Sequence, residues 1–171
     1  DEEIRQGQRL LEQLPDKAGT PPIALHPYAT HPDKAWKEAY WRQLMELFES
    51  RGIPWIVIGR GSGMEGIPAS RNFTNRTSLR ETCALLKSSS LLITGDSGPM
   101  HLAGAVGTPV LALFGPTTEE WGFFPAGPKD RVLESQLDCR PCTLHGKKHC
   151  DRNHACMQSI TPEQVMRALD E

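Results

Sequence analysis

Apolar runs alternate with stretches of helical spacing along this chain. The runs are IAL (23–25), IPWIVIG (53–59), LLIT (91–94) and PVLALFG (109–115). Each is continuous rather than alternating, as in strands buried on both faces of a parallel sheet. Between the first two, Trp36 to Ser50 places Trp41, Leu44, Met45, Leu47 and Phe48 at helical spacing, and Gly52 stands where a helix C-cap falls. Ser78 and Glu81 form an S-x-x-E capping box opening a helix through Lys87. After LLIT, the turn GDSGPMHLAGAVG leads into a short helix ending near Gly107. At the N-terminus, Ile4, Leu10, Leu11 and Leu14 share roughly one helical face, and Pro15 stops that helix. A short strand is expected near Arg71–Phe73, and residues 116–157 are expected to be irregular. Thr161 and Pro162 then cap and open a last helix.

Strand and helix in turn, with short connections, predict an α/β fold: a Rossmann-like parallel sheet with helices on both faces. At 171 residues the expectation is a single domain. The net charge of −2 gives no electrostatic case for nucleic acid or an anionic membrane as main partner. No apolar run approaches the roughly 20 residues of a membrane helix, and the acidic N-terminus lacks the basic start and apolar stretch of a secretory signal. The first residue is Asp rather than Met, so it is expected to be a processing or fragment boundary. Five cysteines, an odd number, argue against a disulfide scaffold and for a reducing cytoplasm.

Thr94-Gly95-Asp96-Ser97-Gly98-Pro99-Met100-His101 carries the most chemistry. It follows a buried strand, at the end where open α/β sheets take their ligands. Gly95 and Gly98 permit a tight turn and close approach. Ser97 or Gly98 can cap the next helix, and Pro99 suits its start. The first-turn amides and the helix dipole make an anion site, for which a diphosphate is the natural occupant. A carboxylate beside phosphate is repelled, so Asp96 better fits sugar hydroxyls one step further on. His101 can donate to a phosphate oxygen, and Met100 is expected in the core.

The longer string TGDSGPMHLAGAVGTPVLALFGPT (94–117) resembles the signature of glycosyltransferase family 9, the ADP-heptose:lipopolysaccharide heptosyltransferases. HPYATHPDKAW (26–36) is similar to that family's first strand and loop, WIVIGRGSGMEG (55–66) to its strand, glycine and loop Glu, and CRPCTLHGKKHCDRNHACMQSITPEQV (139–165) to the Cys-rich tail of its heptosyltransferase II branch. The resemblance covers only the C-terminal half of such an enzyme. It implies the C-terminal domain of a GT-B glycosyltransferase, with residues 1–171 as one nucleotide-sugar-binding domain that includes an irregular Cys-rich segment, 138–157, and a C-terminal helix. The implied reaction is inverting transfer of heptose from ADP-heptose, or a related nucleotide sugar, to the lipopolysaccharide core. The acceptor and the catalytic base belong to an N-terminal half absent from these residues, so no catalytic residue is assigned and this chain alone is expected to be inactive. The implied location is the cytoplasm, or peripheral at the inner face of the inner membrane.

By the same resemblance, Lys34 offsets the diphosphate charge and Thr30 lies near the phosphates. Glu65 takes the ribose hydroxyls, and the loop Asn75–Leu79, including Thr77, lines the adenine site. Asp96, Ser97, Gly98 and His101 match the D-S-G-x-x-H turn position by position. No cofactor or metal is expected. The tail Cys139-x-x-Cys142 with Cys150 and Cys156 leaves two readings open: tetrahedral zinc, or free thiols that pair on oxidation. Two competing functions are a nucleotide-sugar epimerase-like GT-B domain binding a UDP-sugar, and a non-enzymatic, metal-stabilised interaction module.

Overall fold

The computed structural model describes residues 2–12, 14, 19–121, 124–145 and 149–170. The side chain of Ile4 and the helix stop at Pro15 lie outside the described residues. Five strands form one sheet: β1 (Ile23–His26), β2 (Trp55–Val57), β3 (Leu91–Gly95), β4 (Val110–Phe114) and β5 (Arg131–Glu134). Their order is β2-β1-β3-β4-β5, and every neighbouring pair is parallel. The helices are α1 (Glu2–Leu11), α2 (Glu38–Arg51), α3 (Leu79–Lys87), α4 (Gly98–Val106), α5 (Ala155–Gln158) and α6 (Pro162–Asp170).

The continuous apolar runs are explained by the two faces of the sheet. Successive strand residues point to opposite sides. Leu25, Val57, Ile93 and Leu113 meet Trp41, Leu44 and Phe48 of α2 and Val165 of α6 on one side. Ala24, Ile56, Leu92 and Ala112 meet Leu85 and Leu86 of α3 and Met100 and Ala103 of α4 on the other. Neither face is wet, so neither set of positions can be polar.

Helix ends follow the sequence closely. Gly52 and Gly107 both adopt the left-handed conformation, with φ of 64° and 76°. Ser78 and Glu81 close their capping box, and Thr161 and Gln164 bond reciprocally across the first turn of α6. Three expectations need correction. The N-terminal helix ends at Leu11, before Leu14. Near Arg71–Phe73 there is a single parallel bridge, Val57 with Asn72, not a strand. Finally, residues 116–157 are not wholly irregular, since they hold β5, α5 and a 3-10 turn at Glu119–Trp121. β5 is an edge strand and only partly buried, so two apolar residues between Arg131 and Glu134 suffice for it.

The strand order creates a switch point. The chain leaves β1 for α2 on one face and leaves β3 for α4 on the other. β1 and β3 are neighbours, so their onward loops diverge and open a crevice beyond the carboxyl ends of both strands.

Candidate functional site

The residues at that crevice come from the tips of β1 and β3. His26 ends β1, with its ring buried. Its Nδ1 lies 3.0 Å from Thr94 Oγ1 and 3.3 Å from Ser97 Oγ, and the two hydroxyls are 2.9 Å apart. Burial pushes the His26 pKa down to about 4, so the imidazole is neutral near pH 7. This polar triangle fixes the start of the D-S-G turn from beneath.

Ser97 occupies the N-cap position of α4 in extended backbone, but its hydroxyl makes no capping bond. Of the two residues expected to cap this helix, Ser97 is the one at the N-cap, although without a side-chain capping bond. The hydroxyl is drawn to Thr94, His26 and the Gly95 carbonyl instead. Most amides of a helix's first turn have no intrahelical acceptor. Without a side-chain cap, the N-terminus of α4 keeps its capacity for an external anion.

Lys34 closes a 3-10 turn, Pro32–Lys34, in the loop after β1. Asp96 is the first residue after β3. The two side chains meet across the switch point, with Nζ 2.6 Å from Oδ2, and both are largely buried, at 14% and 12% exposure. The approach is close enough that a Cβ on Gly95 would stand 3.3 Å from the Lys34 carbonyl.

Beside this pair lies a cleft of about 400 Å³. Of the residues predicted from sequence, Thr30, Thr77, Ser97 and Gly98 line it. Lys34, Asp96, Glu65 and His101 are not among its lining residues. Lys34 and Asp96 flank it through Ser97. Glu65 is exposed, and its carboxylate accepts from the Gly63 amide at 3.2 Å. His101 is exposed on α4.

The cleft also contains residues to which sequence alone assigns no role. His26 and Tyr28 meet edge to face, with centroids 5.8 Å apart, and the Tyr28 hydroxyl lies 2.7 Å from Thr74 Oγ1. Burial raises the Tyr28 pKa; the Thr74 hydrogen bond lowers it, and the nearby Glu65 charge raises it further. Gly59, at φ 118°, packs against this pair, and a Cβ there would come within 2.5 Å of the His26 ring. Leu79, 65% exposed, joins Leu102 to give the cleft an apolar portion. A nearby glycine and the strand-end position of His26 were the available signals. Leu79 ends the Asn75–Leu79 loop that the resemblance places at the adenine site, and nothing else local marks it. Met100 is buried in the core, as predicted.

None of the five cysteines is joined in a disulfide. Burial is the main influence raising the Cys156 thiol pKa. Among the described residues, no group of three or more His, Cys, Asp or Glu side chains is gathered to hold a metal ion.

Comparison with known proteins identifies the family and the fold. The chain matches glycosyltransferase family 9 (heptosyltransferase) over residues 2–151. It is 35% identical over 153 residues to lipopolysaccharide heptosyltransferase 1 of Pseudomonas aeruginosa, covering 81% of this chain and 40% of that protein. It is 26% identical over 171 residues to lipooligosaccharide heptosyltransferase 2 of Campylobacter jejuni serotype O:6, covering 90% of this chain and 52% of that protein. In fold it resembles E. coli ADP-heptose lps heptosyltransferase II, with a TM-score of 0.72 at 23% identity, covering 97% of this chain and 50% of that one. The chain thus spans about half, or less, of the length of these relatives. The match over residues 2–151 takes in the switch-point loops and the D-S-G turn alike, and the chain belongs to glycosyltransferase family 9, the heptosyltransferases.

Proposed function

We propose that residues 1–171 form the donor-binding domain of an inverting glycosyltransferase that moves heptose from ADP-heptose to the lipopolysaccharide inner core. One observation carries the reading: Lys34 and Asp96 meet at the switch point, beside a helix N-terminus that its own serine leaves uncapped. A cation, first-turn amides and a carboxylate together suit a sugar linked to a diphosphate.

In this reading the diphosphate lies at the Ser97 and Gly98 amides. Lys34 has three N–H donors. One goes to Asp96, leaving two for phosphate oxygens. In the reaction an acceptor oxygen bonds to the sugar's anomeric carbon as the bond from that carbon to phosphate oxygen breaks. The electron pair leaves with the nucleoside diphosphate, and the acceptor proton goes to a base on the opposing half of the enzyme. Lys34 and the α4 amides stabilise the charge that grows on the leaving group. Asp96 holds Lys34 in place and accepts from sugar hydroxyls. Thr30 and His101 supply further donors to phosphate. Thr77 and the apolar Leu79 face the base, and Glu65, on the Tyr28 side, takes the ribose.

The proposed partners are ADP-heptose or a related nucleotide sugar and a lipopolysaccharide core acceptor. The proposed location is the cytoplasm, or peripheral at the inner face of the inner membrane. Among the described residues, no helix is long and apolar enough to cross a membrane. The test is calorimetric titration of the protein with ADP and with UDP. ADP should bind more tightly than UDP. Lys34→Ala should weaken ADP by about tenfold or more, the usual worth of a charge-assisted hydrogen bond. Preference for UDP would favour the epimerase-like alternative, and no binding of either at millimolar concentration would remove the donor-site reading.

A further inference from the structure

None of the described residues of the Cys- and His-rich segment lines the cleft, yet the segment grips the back of the Lys34 loop. His154 Nε2 lies 2.8 Å from Asp33 Oδ1. Trp36 Nε1 donates to the Ile160 carbonyl at 2.8 Å, and the Tyr40 hydroxyl donates to the Gln158 carbonyl at 3.2 Å. The other side of the segment is anchored to the sheet. Ser135 Oγ donates to the Cys156 carbonyl at 3.0 Å. Met157 packs so tightly on Gly115 that a Cβ there would stand 2.3 Å from its sulfur. Upstream, the Arg140 guanidinium donates to the Gly115, Thr117 and Ser135 carbonyls and pairs with Glu134. Helix α5 is thus wedged between the end of β4 and the loop that presents Lys34.

The His154–Asp33 contact is the one nearest to Lys34. Asp33 shares the Pro32–Lys34 3-10 turn with Lys34 and is buried, at 9% exposure. In the tautomer that carries its proton on Nε2, His154 donates to the Asp33 carboxyl oxygen. His154 and its predecessor Asn153 both sit in left-handed backbone, at φ 54° and 48°. Residues with a Cβ hold that conformation when their surroundings over-determine it. Here the surroundings are identifiable: the His154 amide donates to Cys150 Sγ at 3.2 Å, and its carbonyl accepts from the Met157 and Gln158 amides, each at 3.0 Å. The backbone is bent where the imidazole meets Asp33.

We propose that His154 is a positioning residue for Lys34. Acting through Asp33, it fixes the turn that aims the Lys34 ammonium at the donor diphosphate. The Cys/His segment is then a buttress of the donor site. This proposal rests on the donor-site reading above, and the experiment separates the two.

ADP is titrated calorimetrically into the full-length protein and its variants. His154→Phe removes the donor while keeping a ring. It should weaken ADP binding by about tenfold, within the range of couplings between linked residues. His154→Gln, which can still donate an N–H to Asp33, should stay within about twofold of the unsubstituted protein. In a Lys34→Ala background, whose residual affinity comes from nucleoside and amide contacts, His154→Phe should cause no further loss. Asp33→Leu breaks the same contact from the other side, leaving the partly exposed imidazole to water, and also removes the pairing of Asp33 Oδ2 with His31 Nδ1 at 3.3 Å. It should reproduce the pattern and carries the comparison if His154→Phe does not fold. Equal losses with and without Lys34 would mean a merely structural role and would overturn the proposal, as would unchanged affinity in His154→Phe. If the unsubstituted protein fails to bind ADP, the donor-site reading falls and takes this proposal with it. If Lys34→Ala loses binding while His154→Phe and Asp33→Leu keep it, this proposal alone falls.

Discussion

Lys34 Nζ and Asp96 Oδ2 stand 2.6 Å apart, although 62 residues separate them in sequence and they follow different strands. Both side chains are mostly withdrawn from water. Losing one partner therefore leaves a poorly solvated charge, while losing both does not. Asp96→Asn or Lys34→Met alone should cost about 1–3 kcal/mol in urea denaturation. The double variant Lys34→Met/Asp96→Leu should recover most of that stability. ADP binding should remain weakened in the double variant, because restoring stability does not restore the cation.

His26 gives a prediction with a definite sign. Its pKa falls from 6.5 to about 4 on folding because burial disfavours the imidazolium. Between those values the unfolded chain binds more protons than the folded one, so acid favours unfolding there. The contribution is fully present above about pH 6.5 and is lost progressively as the pH falls towards 4. Going from pH 7 to pH 4.5 should cost the unsubstituted protein about 2 kcal/mol that His26→Gln does not lose. Urea midpoints of the two proteins at both pH values provide the check. Parallel pH dependence in the two would show that the imidazole is not desolvated.

Gly59 should tolerate no side chain. Its φ of 118° is unfavourable for any residue with a Cβ, and that Cβ would meet the His26 ring at 2.5 Å and the Tyr28 ring at 2.9 Å. Gly59→Ala should cost about 3 kcal/mol or more, with weaker ADP binding in whatever fraction folds. Thermal melts would detect it. Gly66, at φ 83°, has open space for 4 Å around the point a Cβ would occupy, so Gly66→Asn is the mild control.

The cysteines should separate by reactivity. Cys156 is 6% exposed, and burial raises its pKa, so little thiolate forms. Cys139, Cys142 and Cys150 are all partly exposed. Iodoacetamide at pH 7.5 should alkylate these well before Cys156 in the native protein, with the difference abolished in denaturant. Peptide mass analysis reads the order directly. Early labelling of Cys156 would mean that α5 is not seated against β4 as described.

Most of the fold was legible because its signals are local. A strand buried on both faces must be apolar throughout, and β1 to β4 announce themselves that way. Gly52, Gly107 and the Ser78–Glu81 box mark helix ends through backbone rules that need no tertiary context. β5 was missed because an edge strand needs few apolar residues, and α5 because four residues carry no periodicity. The site was legible in part. The D-S-G turn and Lys34 could be picked out by resemblance. Their meeting could not, since it depends on β1 lying next to β3. His26 reads as the start of a polar loop until Thr94 and Ser97 are seen around it. Ser97 reads as a helix cap in sequence and sits at the N-cap, and only the competing triangle shows why its hydroxyl makes no capping bond. His154 and Asp33 are 121 residues apart, and nothing local in either hints at the other.

The most direct test is a crystal structure of the full-length protein with ADP. The diphosphate should lie within hydrogen-bond distance of the Gly98 amide and of Lys34 Nζ, with Asp96 still paired to Lys34 and the adenine in the cleft near Thr77 and Leu79. Nucleotide bound elsewhere, or a diphosphate that leaves both the α4 amides and Lys34 untouched, would contradict the donor-site reading.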